Sequence, residues 1–163
     1  MNSSPLKLSA LSLFPALVAF AVLQACGGSD SATAQEAADP FEGVWESVIT
    51  GRDCTSAAAV GTFIGAQVYH RGGTLSDTNA SPTATRGPGF GTWVRTGSTY
   101  TTKFRFYTYD ANGAVSGTMR TTGIVTLAAD ARSSTTTVTN QAFDLSNNVL
   151  RNGCATVVST RVL

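Results

Sequence analysis

Between Phe41 and Leu163 apolar and polar residues alternate over short runs, and each run stops at a turn rich in Gly, Pro, Asn, Asp or Ser. A period of two sends successive side chains to opposite faces of an extended strand, whereas an amphipathic helix needs apolar residues three and four apart. Tyr100 to Tyr109 carries the clearest case, with Thr102, Phe104 and Phe106 on one face and Lys103, Arg105 and Tyr107 on the other. Gly43 to Thr50 repeats it, with Trp45, Ser47 and Ile49 set against Val44, Glu46 and Val48. Helix signals are nearly absent over the same stretch, so the fold class is all-β.

Further strands are expected over Phe63 to His70, Thr74 to Asp77, Gly91 to Arg95, Ala114 to Leu127, Thr135 to Phe143 and Cys154 to Val162. If the Ala114 segment bends at Gly123 it counts as two strands, and the total lies between seven and nine. Arg71-Gly72-Gly73, Thr96-Gly97-Ser98 and Asp110-Ala111-Asn112-Gly113 read as turns, and in the last of them Gly113 is placed to take positive φ. The longest connection, Asn79 to Phe90, holds two Pro and two Gly. Strands that follow one another through tight turns favour a small up-and-down antiparallel barrel, and closure removes the edges that a Thr- and Val-rich sheet would expose. A β-sandwich is the alternative.

The N-terminus has a different character. Lys7 precedes an uncharged apolar run from Leu8 to Leu23, the pattern of a secretory signal. As a helix those residues would reach about 24 Å, short of a hydrocarbon core near 30 Å. Leu23-Gln24-Ala25-Cys26 follows, and then Gly27-Gly28-Ser29. This stretch resembles the lipobox of bacterial lipoproteins: an apolar residue three before the cysteine, a small residue just before it, and a flexible polar segment after. The resemblance implies that residues 1–25 are a cleaved signal peptide and that Cys26 carries the acyl chains, such as palmitate. The alternative is an ordinary signal cut near Ala25 that leaves Cys26 a free thiol. Residues 26–40 lack aromatics and any period and read as a tether, which leaves residues 41–163 as one domain.

Three cysteines are an awkward number for an exported chain. If Cys26 takes lipid, Cys54 and Cys154 remain as a pair that an oxidising compartment would join; the alternative is two separate buried thiols. Loss of residues 1–25 removes Lys7 and leaves ten cationic and ten anionic side chains. The cations are scattered, so no field draws the protein to nucleic acid. Membrane attachment then falls to the acyl chains on Cys26 rather than to a polybasic patch.

Gly43-Val44-Trp45, at the opening of the first strand, is similar to the Gly-x-Trp motif of the lipocalin and wider calycin families. The resemblance implies an eight-stranded up-and-down barrel with an internal ligand cavity. It also implies that Trp45 plugs the closed end and that an Arg near the last strand packs across it, a place Arg161 can fill. The Thr-Asp-Tyr motif of true lipocalins has no clear match.

Little here points to catalysis. His70 is the single histidine; Asp77 or Asp53 could complete a triad with a serine, but no Gly-x-Ser-x-Gly elbow presents a nucleophile, and an exposed turn histidine is the simpler reading. Metal ligands at recognisable spacing are missing, and Asp110-x-Asn112-Gly113 begins like a calcium loop without its later ligands. No enzyme, cofactor or metal is expected. The leading expectation is a non-enzymatic binding protein for a small apolar ligand, lipid-anchored in the bacterial envelope and facing the periplasm from the outer membrane. The alternative is an envelope inhibitor or assembly factor that meets a protein partner through the 79–90 loop.

Overall fold

The computed structural model describes residues 37–80 and 85–162. The expected signal peptide, Cys26 and the tether up to residue 36 lie outside the described residues. Eight strands follow one another: β1 Gly43–Arg52, β2 Ala59–Tyr69, β3 Thr74–Asn79, β4 Gly89–Thr96, β5 Thr99–Tyr109, β6 Val115–Leu127, β7 Ser133–Phe143 and β8 Val149–Arg161. Each pairs antiparallel with the next, and β1 pairs with β8, so the sheet closes into an up-and-down barrel. The barrel is the arrangement expected from the alternation; the sandwich is not what forms. Closure gives every strand two hydrogen-bonded neighbours and leaves no open edge.

Several boundaries differ from the sequence expectation; β2, for example, opens at Ala59 rather than Phe63. The Ala114 segment is one strand, because Gly123 stays in register between Thr102 and Val138. The last strand begins at Val149 rather than Cys154, since Val149–Gly153 continues the ladder against β7. The Asn152 side chain accepts a bond from Gln141 across that ladder, and the turn before it is built by Asp144, whose carboxylate accepts the backbone N–H and side-chain amide of Asn148. At the far side, Gly89 and Phe90 belong to β4 rather than to the long loop. An added Cβ at Gly91 would come within 1.9 Å of the Lys103 carbonyl oxygen, so glycine is there to let β4 approach β5, not to break a strand.

Inward side chains divide the interior into a plug, a polar layer and a cavity. The plug is a cluster of Phe41, Trp45, Leu75, Trp93, Tyr100 and Val125, with Tyr69, Phe104 and Leu127 packed against it. Phe41 is its centre: the ring stacks on Tyr69 and Tyr100 at 3.9 and 4.4 Å between centroids and meets the edge of Trp93 at 5.7 Å. Asp39 and Pro40, on the tether side of the expected domain start, dock on this end as well. The Tyr100 hydroxyl donates to Asp39 at 2.8 Å, and Arg95 pairs with the same carboxylate at 3.4 Å.

Trp45 is fully buried, and its indole N–H donates to the Phe41 carbonyl at 3.0 Å. The Arg161 guanidinium lies 4.5 Å from the Trp45 ring centroid and donates to the carbonyls of Ala131, Glu42 and Pro40. Gly43 is required beside them. Its φ is +127°, and a Cβ there would sit 2.7 Å from an Arg161 guanidinium nitrogen. The Gly-x-Trp spacing thus has a local physical cause in this chain: glycine clears the space in which arginine covers tryptophan.

Candidate functional site

The half of the barrel away from the plug holds a cavity of about 720 Å³, within the range of small-molecule sites. Its walls are mostly apolar, with Ile49, Phe63, Phe104, Phe106, Met119 and Phe143 prominent. These residues are inward because strand alternation puts them on the face that carries Trp45 in β1 and Tyr100 in β5. The rim is formed by residues 53–58, 85–88, 110–114 and 144–148. Asp53, Asp110 and Asp144 serve those turns with their carboxylates. Hydrogen bonds from the Ser56 backbone and hydroxyl hold Asp53 below the usual carboxylate range, and those from Asn148 do the same for Asp144.

Between plug and cavity runs a buried chain of polar contacts. Ser159 bonds Ser47 at 2.7 Å, Ser47 donates to the Gln67 side-chain oxygen at 2.5 Å, and the Gln67 amide donates to Asp77 at 2.8 Å. The remaining Asp77 oxygen is paired with Arg86. Among the described residues no buried side-chain nitrogen or oxygen lacks a partner, as a low-dielectric interior demands. Burial pushes the Asp77 carboxyl above its ordinary value, against the opposing pull of Arg86 and of the Gln67 and Arg86 hydrogen bonds.

Arg86 comes from the connection between β3 and β4, not from a strand. Thr85–Gly87 runs beside the end of β5, with the Gly87 N–H donating to the Tyr107 carbonyl and the Tyr109 N–H to that of Thr85, both at 2.9 Å. That pairing aims the side chain into the barrel. Its guanidinium lies 3.7 Å from the Phe106 ring centroid, and both it and the Asp77 carboxylate are nearly sealed from solvent, at 10% and 4% exposure.

The residues singled out in the sequence fall as follows. Trp45 and Arg161 meet at the plug. Cys54 and Cys154 lie at disulfide distance, 5.2 Å between Cα atoms, and join the end of β1 to β8 at the cavity rim. Cys26 is outside the described residues. His70 is exposed at the closed end and bonded to Ser76 at 3.1 Å, while Asp77 points inward and Asp53 caps a turn, so the barrel does not bring a triad together. Among the described residues no three His, Cys, Asp or Glu side chains converge to hold a metal ion, and no helix is long and apolar enough to cross a membrane. The 79–90 loop is only partly a loop, since Asn79 ends β3, Arg86 turns inward and Gly89 opens β4. Phe41, Gln67 and Arg86 carried no sequence signal of their roles: each stands outside a repeat or reads as ordinary strand or loop polarity.

No family model matches the chain, and no curated protein matches it. Among solved structures it is similar to the crystal structure of Rv2717c from M. tuberculosis, with 13% identity, a TM-score of 0.42, and coverage of 77% of this chain and 94% of that one.

Proposed function

We propose that this chain is a binding protein of the bacterial cell envelope, anchored through acyl chains on Cys26, whose barrel holds a small apolar molecule. The observation that carries the reading is the cavity: about 720 Å³ with aromatic and aliphatic walls, blind at the end filled by the plug. A barrel selected for stability alone would fill that space, because interiors pack to crystal-like density. The anchor rests on the Leu23-Gln24-Ala25-Cys26 sequence. The described chain enters the barrel at the closed end, where Asp39 and Pro40 are bound. An inhibitor or assembly factor working through the 79–90 loop has less to support it, because Arg86 in that loop faces inward.

Native mass spectrometry of the purified mature protein is expected to show a co-purifying small molecule, and Ala155→Trp, which fills the cavity, is expected to lose it. No bound species, together with no uptake of an apolar fluorescent probe, refutes the binding reading. Cys26→Ser is expected to release the protein from the membrane fraction; wild-type partitioning of that variant refutes the anchor.

A further inference from the structure

We propose that the polar layer beneath the cavity is a cation site, that the ligand is an amphipathic organic cation with an apolar body and a guanidinium or amine head, and that Arg86 fills the site as an internal stand-in which the ligand displaces. The inference rests on the cavity being a ligand site and narrows the class of ligand.

The two partners of the ion pair are held very differently. Asp77 sits in β3 and is fixed from behind by Gln67, which Ser47 and Ser159 fix in turn. Arg86 sits in a connection and is aimed inward by the pairing of Thr85–Gly87 with β5. The carboxylate therefore belongs to the scaffold, while the guanidinium can withdraw toward the rim without disturbing a strand. What surrounds the guanidinium is a cation-binding arrangement: a carboxylate on one side, the face of Phe106 at 3.7 Å on another, and Phe104 next to Phe106 at 6.4 Å between centroids. An aromatic face and a buried carboxylate both attract positive charge and disfavour an anion. Apart from its head group, the long stem of Arg86 enters from the mouth as an amphipathic cation would.

Stability does not account for the pair. A buried ion pair is often matched or exceeded by an apolar pair of similar volume, and apolar residues already line the surrounding wall. Specificity does account for it. An entering cation exchanges one guanidinium-like head for another over the same carboxylate and ring, so the layer stays neutral. A neutral ligand leaves Arg86 in place, and an anion would have to face Asp77.

The test compares decylguanidinium with decanol, equal in chain length and different in head group, by titration calorimetry on the full mature chain carrying Cys26→Ser. Arg86→Met is expected to raise decylguanidinium affinity by at least about tenfold, the scale of a desolvated cation–aromatic contact, with decanol affinity unchanged. Asp77→Asn in the Arg86→Met background is expected to abolish the gain. If both probes shift together, or the gain survives Asp77→Asn, the cation site is refuted while the apolar cavity stands. If neither probe binds any variant with a native unfolding transition, the cavity reading fails and the cation site with it. Arg86→Gln, which retains a donor to Asp77 without the charge, replaces Arg86→Met if that variant does not fold.

Discussion

The contact between Arg161 and Trp45 can be measured apart from the burial that accompanies it. Trp45 is 0% exposed and touches Phe41 and Arg161, so Trp45→Ala removes a core ring and should destabilise the barrel by about 3–5 kcal/mol. Arg161→Met keeps an apolar stem but removes the donors to the Ala131, Glu42 and Pro40 carbonyls. Each charged donor is worth about 1.5–3 kcal/mol when buried and less here, where water can replace it. The ring contact itself, partly shielded at 4.5 Å, should appear as a coupling of about 0.5–2 kcal/mol. Guanidinium chloride unfolding of wild type, both single variants and the double variant gives that coupling directly, provided each transition is two-state. A coupling of zero together with a loss under about 1 kcal/mol for Trp45→Ala would refute the account of the closed end. It would leave the Gly-x-Trp spacing without a physical role.

Peptide mapping without reductant should find Cys54 joined to Cys154, and the double Ser variant should lose up to about 4.7 kcal/mol for a separation of 100 residues; two free thiols in the native protein would refute it. Asp77→Asn leaves Arg86 buried without its counter-ion and should cost about 3–5 kcal/mol, whereas Asp77→Leu with Arg86→Met should cost far less; equal losses in chemical denaturation would show that the pair is not buried as described. Burial, then the Asp39 hydrogen bond, push the Tyr100 hydroxyl from 10.0 up to about 12, and burial with the nearby Asp77 charge raises Tyr69 as well. Because the folded state holds these protons longer than the unfolded chain, stability is intact below pH 10 and falls as pH rises toward 12. A stability profile that is flat across that window, or identical for Tyr100→Phe, would contradict it.

The barrel was legible because β-alternation survives single substitutions: Thr102, Phe104 and Phe106 point inward on β5 as their spacing requires. Trp45 was legible for the same reason, and Arg161 through the resemblance its motif carried. Phe41 was not, because one aromatic ahead of a strand has no period, and only the closed end reveals that four aromatic rings surround it. Arg86 was hidden further. Its direction is set by backbone pairing with β5, a contact between segments about twenty residues apart, and composition marks that stretch simply as Pro- and Gly-bearing loop. Glycine misled at Gly89, where it answers crowding from Asp77 and Phe104 rather than a need to turn.

The first and last strands meet along one seam, and that seam is fastened at both ends: Arg161 lies across Trp45 at the plug, and Cys54 is joined to Cys154 at the rim. A cylinder so clasped does not unzip where its chain ends meet. Its softest line is the ladder between β3 and β4, which has four paired residues against eight in the seam. Opening of the wall is therefore expected to concentrate there, in the two strands joined by the connection that carries Arg86.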